Sequence, residues 1–208
     1  MKSRGRQSAR FRFTLILACA LAPLIAAAQT RAPSVSIDAG LLARANAGDP
    51  AAEVQVGEQY AHAGAIEHYK SVAAQEYQQA AAWYLKAANQ KSVAAELHLA
   101  ALYRDGGNGF ERDMEQAAAW YLKAANQGDV GAQGTLGVLY SMGQGVPRDD
   151  VESYFWLDIA ASAKGPDQEK YAATRQMIGE RITSDQLADV QDRVAAWKAA
   201  HPRSDSAK

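Results

Sequence analysis

The sequence holds a single cysteine, Cys19, and it lies close to the N-terminus inside an apolar stretch. The rest of the chain can form no internal disulfide and offers no thiol nucleophile, so its stability has to come from packing. Aromatic residues are also scarce, at 8% of the total, while alanine is abundant. That balance disfavours sheets, which draw on β-branched and aromatic side chains, and suits closely packed helices. The one sustained apolar run, Phe13 to Ala28, is interrupted by Pro23 and falls short of the roughly 20 residues a membrane-spanning helix needs. Excess positive charge is missing as well, with 22 basic against 23 acidic residues. No nucleic-acid partner is therefore expected, because that recognition leans on basic patches, and no polybasic segment addresses an anionic membrane.

The basic start (Lys2, Arg4, Arg6, Arg10, Arg12), the apolar run and the small residues Ala26 and Ala28 have the layout of a secretory signal peptide over residues 1–28, cleaved ahead of Gln29. Its removal takes five basic and no acidic residues, leaving 17 against 23 and a mildly acidic mature chain without a membrane span. The expected destination is the periplasm or the outside of the cell. Ile16-Leu17-Ala18-Cys19 also partly fits a lipoprotein cleavage box, which keeps a lipid anchor at Cys19 as a minor alternative. Residues 29–43 read as a linker.

Internal repetition then determines the fold class. Gln79 to Gln90 recurs without change as Gln116 to Gln127, and a degenerate third copy places Trp156 in register with Trp83 and Trp120. A second block precedes each copy, with Gly57, Ala100 and Gly137 three residues ahead of Tyr60, Tyr103 and Tyr140. These spacings put each small residue and its tyrosine on one helical face, where the small residue lets a partner helix approach closely. Each unit is thus two helices, with boundaries at 44–91, 92–128 and 129–165. Gly143-x-Gly145-Val146 and Gly107-x-Gly109-Phe110 are glycine-rich turns leading to Asp149 and Asp113, candidate helix N-caps. The first unit has six or seven extra residues around 62–70, expected as a longer loop or an extended helix end. Residues 166–200 carry two further helical stretches, the second starting at Ser184, expected to cap the array, and 201–208 read as a flexible tail.

Ala132-x-x-x-Leu136-Gly137-x-x-Tyr140, Gly143-x-Gly145-Val146-x-x-Asp149 and Trp120-Tyr-x-x-Ala124-Ala125-x-x-Gly128 resemble the Sel1-like repeats (SLR), relatives of the tetratricopeptide repeat. The resemblance covers residues 44–165. It implies an all-α, right-handed α-solenoid of about three helix-turn-helix repeats, whose concave face binds a protein or peptide.

Chemistry is harder to find. Gly-x-Ser-x-Gly is absent, and Ser-x-x-Lys does not occur after residue 28. The histidines (His62, His68, His98, His201) lack zinc-site spacing, so neither a metal nor a cofactor is expected. Trp83, Trp120 and Trp156 recur with the helix period and are read as core. No enzymatic role is expected; the resemblance leaves a β-lactam or peptidoglycan hydrolase, and a structural part in an envelope or polysaccharide-export assembly, as alternatives. By analogy with tetratricopeptide arrays the first helices line the binding face, which nominates Glu53, Gln55, Glu96, His98 and Gln133 as partner contacts. No covering element is evident before Leu41, so a homodimer through the first repeat is a further expectation.

Overall fold

Most helices of this chain start behind a short polar side chain whose oxygen accepts hydrogen bonds from the otherwise unpaired N–H groups of the first turn. Asp38, Asp49, Ser92, Asp113, Asp129 and Asp149 all do this. The computed structural model describes residues 35–202, in which nine helices follow one another. They are α1 (Ala39–Asn46), α2 (Pro50–Ile66), α3 (Lys70–Asn89), α4 (Val93–Asp105), α5 (Met114–Asn126), α6 (Val130–Met142), α7 (Asp150–Ala161), α8 (Gln168–Gly179) and α9 (Ser184–Ala200). Among the described residues the only β-type pairing is a single bridge between Gly107 and Phe110, inside a turn.

Each helix from α1 to α7 packs on the next, while α9 passes back onto α7. The result is an all-α solenoid whose repeating unit is the antiparallel pair: α2–α3, α4–α5 and α6–α7. A small residue on each first helix lets its partner approach. A Cβ on Gly57 would stand 2.6 Å from the Tyr84 ring, and one on Gly137 the same distance from Leu157. Ala100 occupies the equivalent place in the middle unit and is fully buried. The turns are pinned alike, since Asp113 N–H donates to Tyr103 C=O over 2.8 Å and Asp149 N–H to Tyr140 C=O over 3.0 Å. Phe110 fills the space behind its turn against the rings of Tyr77 and Tyr103.

Both ends of the array are covered. At the C-terminal end Tyr171 of α8 presses on Gly134 of α6, and Trp197 of α9 meets Trp156 of α7 edge-on, with ring centres 6.3 Å apart. At the N-terminal end the structure corrects the expectation of an uncovered first unit and of a linker reaching residue 43. Residues 39–43 already belong to α1, and Ile37, Leu41 and Ala45 pack with Ala52, Val56, Tyr60 and Trp83.

The structure selects one of the two readings of the 62–70 segment, the extended helix end, and refines two details near the C-terminus. The segment 62–70 is chiefly helix: α2 runs on to Ile66 and α3 starts at Lys70, leaving a connection of three residues. Helix α9 starts at Ser184 as expected and is capped by Thr183, whose hydroxyl accepts from Gln186 N–H while the Gln186 side chain accepts from Thr183 N–H. His201, expected in a loose tail, stacks on Trp197 with ring centres 4.1 Å apart. Residues 1–28 with Cys19, and residues 203–208, lie outside the described residues.

Candidate partner-binding face

The first helices α2, α4 and α6 turn one face into the solenoid and leave another accessible. Gln55, Glu58 and His62 are exposed along α2; His98, Ala101 and Asp105 hold the matching positions on α4, and Thr135, Val138 and Met142 those on α6. Residue spacings of three and four keep each set on one side of its helix. The face grades from charged on α2 and α4 to apolar on α6, where Met142 is 62% exposed.

The nominated contacts divide on this face. Gln55 is exposed and His98 half-buried, and both belong to it. Glu53, Glu96 and Gln133, expected to be accessible, are instead buried, the two glutamates against the end of their own unit's second helix and Gln133 against α5 of the preceding unit. Gln90 Nε2 donates to Glu53 over 2.8 Å, Gln127 Nε2 to Glu96 over 2.7 Å, and Gln133 Nε2 to the Ala125 carbonyl over 3.1 Å. Burial pushes the Glu53 and Glu96 carboxyls above their ordinary range, against the pull of those amides and of Lys86 and Lys123.

These inward polar groups form a repeated module with the tryptophans. Lys86 Nζ sits 3.6 Å over the Trp83 ring and Lys123 Nζ 3.5 Å over Trp120, each on the side of its unit's buried glutamate. The third unit has Ile159 at the lysine position and a neutral Gln133 at the glutamate position. Where the cation is gone, so is the buried charge. Trp120 and Trp156 are buried, whereas Trp83, near the N-terminal edge, is half-buried; Tyr60, Tyr103 and Tyr140 are half-buried as well.

The accessible face has its own geometry. His98 lies flat on Tyr84, with ring centres 4.8 Å apart and planes 7° from parallel, and its Nε2 is 3.1 Å from Glu58 Oε1. Arg104 grips Asp105 through Nε (2.7 Å) and Nη2 (2.9 Å), and its Nη1 donates to the Tyr121 hydroxyl over 2.8 Å. The guanidinium thereby holds the Asp105 carboxyl below its usual range. Between the stacked rings and this ion pair lies a cleft of about 200 Å³, walled by α2, α3 and α4. Sequence reasoning missed Glu58 and Asp105. The available signal was that positions 58, 101 and 138, and 62, 105 and 142, change character from unit to unit.

Among the described residues no three His, Cys, Asp or Glu side chains gather where they could hold a metal. No described helix is long and apolar enough to cross a membrane. His62 is exposed on α2 and His68 is exposed in the short connection after it.

No curated protein matches the chain significantly. Among solved structures it is similar to a protective antigen of uropathogenic Escherichia coli strains that displays an SLR fold. That similarity has 25% identity and a TM-score of 0.57, covering 89% of this chain and 41% of the antigen, so this chain spans less than half of that structure. It is also similar to a Sel1 repeat protein from Oxalobacter formigenes, at 28% identity and a TM-score of 0.52, over 63% of this chain and 92% of that one. Sel1 repeat proteins commonly mediate protein–protein interaction and are generally non-catalytic. The Sel1 repeat model itself matches residues 51–92, 93–129 and 132–164, more than half of the sequence in three consecutive units, and the chain belongs to the Sel1 repeat family.

Proposed function

We propose that this protein is an exported, non-enzymatic adaptor that binds a protein or peptide through the accessible face of α2, α4 and α6. The carrying observation is the division of labour among repeat positions. Inward rows keep their character from unit to unit, as in Ala52, Ala95 and Ala132, whereas the outward row Gln55, His98 and Thr135 and its neighbours do not. Positions that hold a repeat fold together are constrained alike in every unit, while a binding face is free to differ. Export rests on the layout of residues 1–28.

A crosslinking pulldown from envelope extract tests the face. The full chain is compared with a variant carrying Glu58→Ala, His98→Ala and Met142→Ala, and with a control carrying Leu85→Ala and Leu122→Ala on exposed positions of the second helices. The adaptor reading expects a partner kept by the control and lost by the first variant, with helical circular dichroism unchanged in both. Equal capture by all three proteins, or none, overturns it. Mass spectrometry of protein recovered from the envelope should find Gln29 at the N-terminus; an intact Met1 would overturn export by cleavage.

A further inference from the structure

The cleft between α2, α3 and α4 has walls of mixed chemistry. Tyr77 offers ring surface, Ala61, Ala101 and Leu102 offer apolar contact, Asp105 carries a carboxylate, and Tyr84, itself buried, backs the wall under the ring of His98. Glu58 is fixed beside it through His98. At about 200 Å³ the cleft is smaller than the roughly 300–1,000 Å³ of pockets that take cofactors or drug-sized ligands. It is matched to a single long side chain. Long cationic side chains suit such walls, because their methylene stems lie along apolar surface while the charged head meets aromatic faces and carboxylates. The fold uses the same pairing internally, with Lys86 over Trp83 and Lys123 over Trp120. Asp105 is shared with Arg104, which leaves Glu58 as the carboxylate opposed here only by a histidine.

The geometry points to this cleft as the subsite that receives one lysine or arginine side chain of an extended peptide partner. It rests on the adaptor reading and adds to it the identity of one anchor residue. A glutamate or aspartate anchor is disfavoured, because its charge would meet Glu58 and Asp105 on entry.

The test is an NMR titration of the isotopically labelled full chain with blocked tripeptides Ala-Arg-Ala, Ala-Lys-Ala, Ala-norleucine-Ala and Ala-Glu-Ala. Norleucine keeps the four-carbon stem of lysine without its ammonium group. The expected result is saturable shifts at Ala101, Leu102 and Gly106 and at the Tyr77 and Tyr84 rings, with the two cationic peptides at least tenfold tighter than the norleucine one. In the Glu58→Gln variant that preference should fall below about threefold. Equal affinity for the norleucine peptide, tighter binding of the glutamate peptide, or no saturable shift at these residues overturns the inference. The readout needs no natural partner. A pulldown that succeeds while the tripeptides ignore the cleft sinks only this subsite, whereas a cationic preference with no face-dependent capture sinks the adaptor reading alone.

Discussion

Gly145 lies so close to the backbone carbonyl of Met114 that a Cβ on it would overlap the oxygen, and Gly109 stands in the same relation to Lys70, where a Cβ would come within 2.6 Å of the carbonyl. Met114 and Lys70 are the first residues of α5 and α3. Each glycine-rich turn therefore rests on the start of the preceding unit's second helix, and stacking of units is written into the second glycine of the G-x-G motif. The first unit has no earlier pair to rest on, and it is the unit that lacks the motif.

Gly145→Ala should accordingly be costly. The neighbour is backbone and cannot rotate away, and φ at Gly145 is +72°, a region that side chains rarely adopt. A loss of about 1–3 kcal/mol is expected from the combined strain, with a smaller loss for Gly109→Ala. Equilibrium urea unfolding measures both; a Gly145→Ala protein as stable as its parent would show that the turn is free to lift away.

Glu96→Gln should do the opposite. Burial holds the Glu96 carboxyl above its ordinary range, so the folded state binds that proton more tightly than the unfolded state does. The carboxylate then weighs against folding above its folded-state value, and stability contributed by this site rises as pH falls toward the ordinary glutamate range. Glutamine keeps an oxygen for the Gln127 amide and removes the charge, as Gln133 does in the third unit. A gain of about 1 kcal/mol at pH 7 is expected, with a flatter stability curve as pH falls from 7 toward the ordinary glutamate range. Chemical denaturation across that range checks it, and a loss at pH 7 would mean that attraction to Lys123 outweighs burial.

The same residues show what the sequence made legible. Repetition exposed the helix pairs, because identical blocks at a fixed spacing have few architectural solutions. It also contained the warning that Glu53, Glu96 and Gln133 are structural, since they hardly differ between units. A polar residue on a first helix suggests accessibility, yet these three have hydrogen-bond partners 37, 31 and 8 residues away in the chain, and no local pattern shows such a bond. Helix α1 was missed for a related reason. Its apolar face is only Leu41 and Ala45, too short for periodicity to register, and it is completed by Ile37 ahead of it. The cleft belongs to three helices at once and has no signature in any one of them.

Lys91 offers a stabilising change. It follows α3 with φ +63°, where Gly48 after α1 and Gly128 after α5 take the left-handed conformation with no Cβ penalty. Lys91→Gly relieves about 1–2 kcal/mol of left-handed strain and gives back part of it through the greater freedom of glycine in the unfolded chain. The expected net is a gain of about 0.5–1 kcal/mol, seen as a higher Tm by scanning calorimetry. An unchanged or lowered Tm would mean that Lys91 recovers its strain through contacts of its side chain.

The C-terminal pair α8–α9 is bound to α7 electrostatically as well as by packing, and Asp158 is the shared point. Arg175 of α8 and Lys198 of α9 each pair with one of its oxygens, the lysine at 2.8 Å. Burial raises the Asp158 carboxyl, but the two cations outweigh it and the net shift is downward. A carboxyl lowered on folding contributes stability that is complete above its unfolded value of about 3.9 and is lost as pH falls through the folded-state value. Because the contribution joins α8 and α9 to the array, acid should loosen the cap before it unfolds the repeats. Hydrogen exchange at pH 3 should rise first at amides of 168–200 while α4 and α5 stay protected. Asp158→Asn should reproduce this at pH 7 at a cost of about 1–2 kcal/mol, between the values of surface and buried ion pairs because both cations are partly exposed. If exchange in the acid-treated protein or the variant rises uniformly along the chain, the cap is not a separable unit and the solenoid melts as one cooperative block.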